Sequence, residues 1–77
     1  MDIRIKAAGH LQNKMPGRQA EFYMSMNSGD TIADLLGRLG LNKSQVWIIR
    51  VNGQHVTPDH LLADGDYVEL FPLVGGG

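Results

Sequence analysis

The sequence predicts an α+β fold in which one main helix lies on one face of a mixed four- to five-stranded sheet. Three observations carry that expectation. Two alternating runs open the chain, with Ile3 and Ile5 sharing a face in the first and Phe22, Met24 and Met26 in the second. A single amphipathic stripe follows, in which Ile32, Leu35, Leu36 and Leu39 fall at i, i+3, i+4 and i+7. Runs rich in β-branched and aromatic residues at 46–51 and 67–71 then complete the pattern, separated by turn chemistry.

Each element has a local cause. In the first strand, Arg4 and Lys6 alternate with the isoleucines and face away from them. Residues 10–19 are polar, and Met15-Pro16-Gly17 supplies turn chemistry, so this stretch is expected to be a long hairpin loop outside the core. Asn27-Ser28-Gly29-Asp30 breaks the second strand, and Thr31 starts the helix. Thr31 and Asp34 have the spacing of a capping box, with Asp in place of Glu. Gly40 stands just past the helix, where a left-handed residue is wanted. The third strand runs into Asn52-Gly53, a strong hairpin signal, and Gln54-His55-Val56 returns beyond it. Thr57-Pro58-Asp59 turns the chain again, Leu61-Leu62 is expected to anchor an irregular segment, and Asp64-Gly65-Asp66 turns into the last strand.

The order β-β-α-β-(β)-β is met by a single helix across a mixed sheet with the first and last strands adjacent at its centre, the β-grasp arrangement. Ile3, Ile5, Phe22, Met24, Ile49, Val51, Val68 and Leu70 then face the helix. Arg4, Lys6, Ile48, Arg50, Glu69 and Phe71 face the open side.

Composition excludes several classes of function. At 77 residues the chain is one small domain. Such chains bury only roughly 60–65% of their unfolded surface, so the fold must be economical or helped by a partner. There is no cysteine, which removes a disulfide framework, a thiolate zinc site, an iron–sulfur cluster and a cysteine nucleophile. The net charge of -1 argues against nucleic acid or an anionic membrane as the main partner. No stretch approaches the roughly 20 apolar residues of a membrane span. The first residues form a strand pattern and not a leader, and a cytoplasmic location is expected. His10, His55 and His60 lack metal-ligand spacing, Asp64 and Asp66 are accounted for by a turn, and no metal site is expected. No phosphate-binding glycine loop is present.

The last residues, Val74-Gly75-Gly76-Gly77, are the most unusual feature. Glycine buries no side chain and loses the most backbone entropy when fixed, so such a run is expected to be a flexible tail at 75–77 beyond a domain at 1–74. A frayed terminus is one explanation. The other is a thin strip of backbone carrying a carboxylate into a narrow channel where a Cβ would clash.

Val51-Asn52-Gly53, Val56, Asp64-Gly65-Asp66-Tyr67-Val68, Phe71-Pro72 and the terminal glycines, in that order, resemble the ThiS/MoaD family of ubiquitin-like sulfur carriers. Residues 29–36, around the helix start, are similar as well. The resemblance spans nearly the whole chain apart from 10–19. It implies a co-substrate and not an enzyme. An E1-like partner would use ATP to adenylate the Gly77 carboxylate, and a sulfur donor protein would convert the acyl-adenylate to a thiocarboxylate. No cofactor would be bound by the carrier itself. Phe71-Pro72 and the compact connection at 57–64 look like the small subunit of molybdopterin synthase, which would add a large catalytic subunit as partner. The triple glycine is more like the thiamin-thiazole carrier.

Within this frame Gly75 and Gly76 would enter the partner's active site, and Phe71, Ile48, Arg50, Leu73 and Val74 are the expected partner-binding residues. Trp47 is expected to pack at the start of its strand. A ubiquitin-like protein modifier and a β-grasp interaction module whose tail is never activated are the alternatives.

Overall fold

A computed structural model describes residues 1–42 and 44–73. Strands β1 (Asp2–Ala7) and β2 (Glu21–Ser25) form an antiparallel hairpin in which Ile3 faces Met24 and Ile5 faces Phe22. Helix α1 (Ile32–Arg38) follows, then β3 (Ile48–Val51), the short β4 (Gln54–His55) and β5 (Tyr67–Phe71). The sheet order is β2-β1-β5-β3-β4, with β1 and β5 parallel at its centre and every other pair antiparallel. This is the arrangement that the alternation predicts.

Side-chain period drives the layering. Ile3, Ile5, Val68 and Leu70 from the two central strands are fully buried, and Ile49 and Val51 join them from β3. The stripe of α1 closes over them through Ile32, Leu35 and Leu36. The helix has only seven residues, about 10 Å of length. Helices this short are marginal in water, so packing and caps must hold it. Both caps are in place. Thr31 and Asp34 form the reciprocal capping box, and Gly40 takes φ +73 after the last turn. The turn between β3 and β4 has both Asn52 and Gly53 at positive φ, as a type I′ hairpin requires.

Three expectations are corrected. Residues 10–19 do not lie outside the core, because the 3-10 segments Gly9–Lys14 and Pro16–Arg18 fold back so that Leu11 and Met15 are buried in it. Their polar neighbours face solvent, while Leu11 of the first segment and Met15 at the junction between the two join the core. Trp47 is not a packing residue. It is 62% exposed and stands one residue before β3 begins. Of the pair Leu61-Leu62 only Leu62 is an anchor, whereas Leu61 contributes a backbone bridge to Thr31 and stays exposed.

Candidate functional site

Alternation along β5 sends Tyr67, Glu69 and Phe71 to the open face, and strand register determines what stands beside them. Glu21, Lys6, Glu69, Arg50 and His55 form one row across all five strands, with charges of opposite sign as neighbours from Glu21 to Arg50. Such cross-strand pairs support the sheet. Tyr23, Arg4 and Tyr67 form a parallel row.

Both arginines lie over aromatic rings of β5. The Arg4 guanidinium carbon is 4.9 Å from the Tyr67 ring centroid, and that of Arg50 is 4.7 Å from the Phe71 centroid. Arg4 also donates from Nε to Glu21 Oε2 at 2.8 Å, with a second, shorter contact from Nη2. Hydrogen bonding to Glu21, and then its charge, raises the Arg4 pKa further. Arg50 is less well partnered. Its Nε lies 4.0 Å from Glu69 Oε1, too far for a hydrogen bond, and that buried N–H has no acceptor among the described residues. The aromatic contact and the loose ion pair therefore hold Arg50 flat against the sheet.

At the end of β5 the face becomes apolar. Ile48 stands directly opposite Phe71, and Trp47 donates its backbone N–H to the Phe71 carbonyl at 2.8 Å. A shallow hollow of about 210 Å³ is lined by Ala8, Gly9, Trp47, Ile48, Phe71 and Pro72. Leu73, 58% exposed, continues the apolar strip past the sheet. The structure thus brings Ile48, Arg50 and Phe71 together and sets Leu73 next to them. Val74, Gly75, Gly76 and Gly77 lie outside the described residues.

Sequence reasoning missed Trp47, Ala8 and Gly9 as part of this surface. The signal for Trp47 was its place beside Ile48, which required the strand start to within one residue. Ala8 and Gly9 offered only small size. A larger hollow, about 460 Å³, is lined by His55, Val56, Thr57, Asp59 and His60 near β4. No three His, Cys, Asp or Glu side chains are grouped to hold a metal among the described residues. Nor is any helix among them long and apolar enough to cross a membrane. The arrangement described is suited to docking.

Solved structures share this architecture. The chain is similar to a chain of the complex between subunits 1 and 2 of molybdopterin-converting factor from Helicobacter pylori, at 23% identity and TM-score 0.66, with 100% of each chain covered. It is similar to small archaeal modifier protein 1 of Haloferax volcanii at 18% identity and TM-score 0.77, covering 95% of this chain and 98% of that one. Urm1 of Trypanosoma brucei matches at 18% identity and TM-score 0.73, over 99% and 95%. These likenesses show the fold, a ubiquitin-like β-grasp. The family model of the ThiS family matches residues 13–77, most of the length described above, and the chain belongs to that family.

Proposed function

We propose that this chain is a sulfur carrier that presents the Gly77 carboxylate to partner enzymes and takes no catalytic part itself. The observation that carries this reading is the position of the apolar strip. Trp47, Ile48 and Phe71 lie where β5 passes into Pro72 and Leu73, so a partner seated on them stands at the root of the last residues. Membership of the ThiS family supports the same reading.

The chemistry follows from the weakness of a carboxylate as an electrophile. An E1-like partner brings ATP, the carboxylate oxygen attacks the α-phosphorus, and pyrophosphate leaves. In the acyl-adenylate that results, AMP is a good leaving group. Sulfide-level sulfur released by a donor protein then attacks the carbonyl carbon, AMP leaves, and the Gly77 thiocarboxylate remains. Every activating group comes from outside, and the carrier supplies the docking face and the reach. A molybdopterin-type pathway is favoured, with a large synthase subunit as second partner. The likeness to a chain of the two-subunit molybdopterin-converting factor supports it.

Intact mass spectrometry after incubation with host lysate, ATP and a sulfur source tests the proposal, beside a Gly77 deletion. The expected result is a gain matching one sulfur for one oxygen, localised to Gly77 and absent without ATP. An unchanged mass, with the activating enzymes working on a control carrier, would leave only an interaction module. The likeness to a small archaeal modifier protein supports a second reading, in which a lysine amine captures the activated glycine. Lysine-linked adducts in the same experiment would favour it.

A further inference from the structure

The path by which the chain leaves the sheet is set by a close approach between two segments far apart in sequence. Past the last β1–β5 pair, Ala7 with Leu70, the ladder gains one more bond, from the Ala8 N–H to the Leu70 carbonyl at 2.9 Å. Gly9 then turns away at φ +55, and the following 3-10 segment drives Leu11 into the core. Pro72, the first residue after β5, is buried beside this turn. A Cβ on Gly9 would lie 3.3 Å from Pro72 Cγ and 3.8 Å from Cδ. Gly29, Gly40, Gly53 and Gly65 also have positive φ, but a Cβ there would meet nothing within 4 Å. At Gly9 a side chain would be strained by the backbone and would also press on the Pro72 ring, which would have to give by a few tenths of an ångström.

We propose that Gly9 is a positioning residue for tail activation, forming with Ala8 the seat that holds the Pro72 ring and so fixes where Leu73 starts relative to the docking face. The inference rests on the carrier reading. Pro72 has a fixed φ, so once its ring is seated the chain beyond it has little freedom at that point. Residues 73–77 can span at most about 16–18 Å when fully extended. A strap this short has little slack to absorb a shift at its root. Misplacement by about 1 Å at a reacting centre can cost on the order of a hundredfold in rate. Gly9 and Pro72 both line the hollow beside Trp47, Ile48 and Phe71.

The test compares Gly9→Ala with Gly40→Ala, which also puts a side chain at a positive φ (+73) but has no neighbour to displace. Carrier-dependent ATP–pyrophosphate exchange by the host's E1-like enzyme gives kcat and KM, with the carrier as varied substrate. Gly40→Ala should lose a few degrees of melting temperature, about 4–8 °C, and Gly9→Ala at least as much. Only Gly9→Ala should lose kcat, roughly tenfold or more, at nearly unchanged KM, because Ile48, Arg50 and Phe71 still dock. Equal kinetics for the two variants would overturn the seat. Should Gly9→Ala not fold, Pro72→Ala empties the seat from the other side and must show the same loss of kcat. A nuclear Overhauser contact between Gly9 Hα and Pro72 Hγ in the free protein separates the two levels of the argument. Its absence sinks the seat whatever the enzyme does. Its presence with a wild-type chain that the enzyme never activates removes the carrier reading, and the positioning role with it.

Discussion

Asn52 Nδ2 donates to Asp66 Oδ1 at 2.9 Å, tying the turn between β3 and β4 to the turn that launches β5. The pair is a hub. Asp66 Oδ2 also accepts from the Ala63 N–H at 2.8 Å, and Asn52 Oδ1 accepts from the Tyr67 N–H at 2.9 Å. Asp66 is the buried polar side chain among the core residues. The start of β5, and through it the placement of Phe71, is thus held by side chains from two turns.

Asp66→Ala should therefore destabilise the domain by about 2–3 kcal/mol, because the Asn52 amide and the Ala63 N–H both lose a charged acceptor. Urea denaturation monitored by Trp47 fluorescence measures this directly. Asp66→Asn, which keeps the shape but not the charge, should fall between. A midpoint for Asp66→Ala indistinguishable from wild type would show that the turns hold without the hub.

Leu11 provides a second prediction. It is 0% exposed although it belongs to a polar segment. Leu11→Ala should cost about 2–5 kcal/mol, as for a buried leucine elsewhere. Leu61→Ala, at a residue 64% exposed, should stay within roughly 0.5 kcal/mol of wild type. Equal effects at the two positions would mean that residues 10–19 are not part of the core.

The capping box makes stability depend on acid pH. The Thr31 N–H, and then its hydroxyl, hold the Asp34 carboxyl below its ordinary value of 3.8. A depressed carboxyl contributes stability that is fully present above the unfolded value and lost as pH falls through the folded one. Asp34→Asn should thus melt lower than wild type near neutral pH, and the gap should close as the pH drops below about 3.8. Melting curves across that range decide it. A gap that persists unchanged in acid would show that the carboxylate charge is not what the cap uses.

The layering of the fold was legible because the strands obey strict alternation and the helix carries one unbroken stripe. Ile3, Ile5, Val68 and Leu70 announce their face by period alone. Leu11 and Met15 were not legible, since an isolated apolar residue in a 3-10 turn has no period to reveal it. Trp47 was misplaced for a related reason. Alternation assigns a face only inside a strand, and Trp47 stands one residue outside β3. Ile48, Arg50 and Phe71 could be grouped from sequence because alternation sends all three to the open face, whereas the β3–β5 register that sets Ile48 opposite Phe71 has no local turn to announce it. The contact between Gly9 and Pro72 joins residues that no local pattern relates.

The pairing of Ile48 with Phe71 predicts how the docking face should respond to substitution. The two side chains oppose each other across β3 and β5, and Phe71 also carries the Arg50 guanidinium on its ring. Removing the ring takes away apolar contact area and frees Arg50, so Phe71→Ala should weaken partner binding more than Ile48→Ala does. On the scale of interface hot spots, the loss for Phe71→Ala should be about 2 kcal/mol or more. Ile48→Ala should be smaller, and the double variant should fall short of the sum because the residues touch the same partner surface. Titration calorimetry of each variant with the E1-like enzyme measures these terms. Circular dichroism checks that the sheet survives, as it should because both substitutions fall on the open face and leave the buried Val68 and Leu70 of β5 and Ile49 and Val51 of β3 in place. Full affinity in Phe71→Ala would move the interface off the open face, and strictly additive losses would mean that Ile48 and Phe71 meet the partner separately.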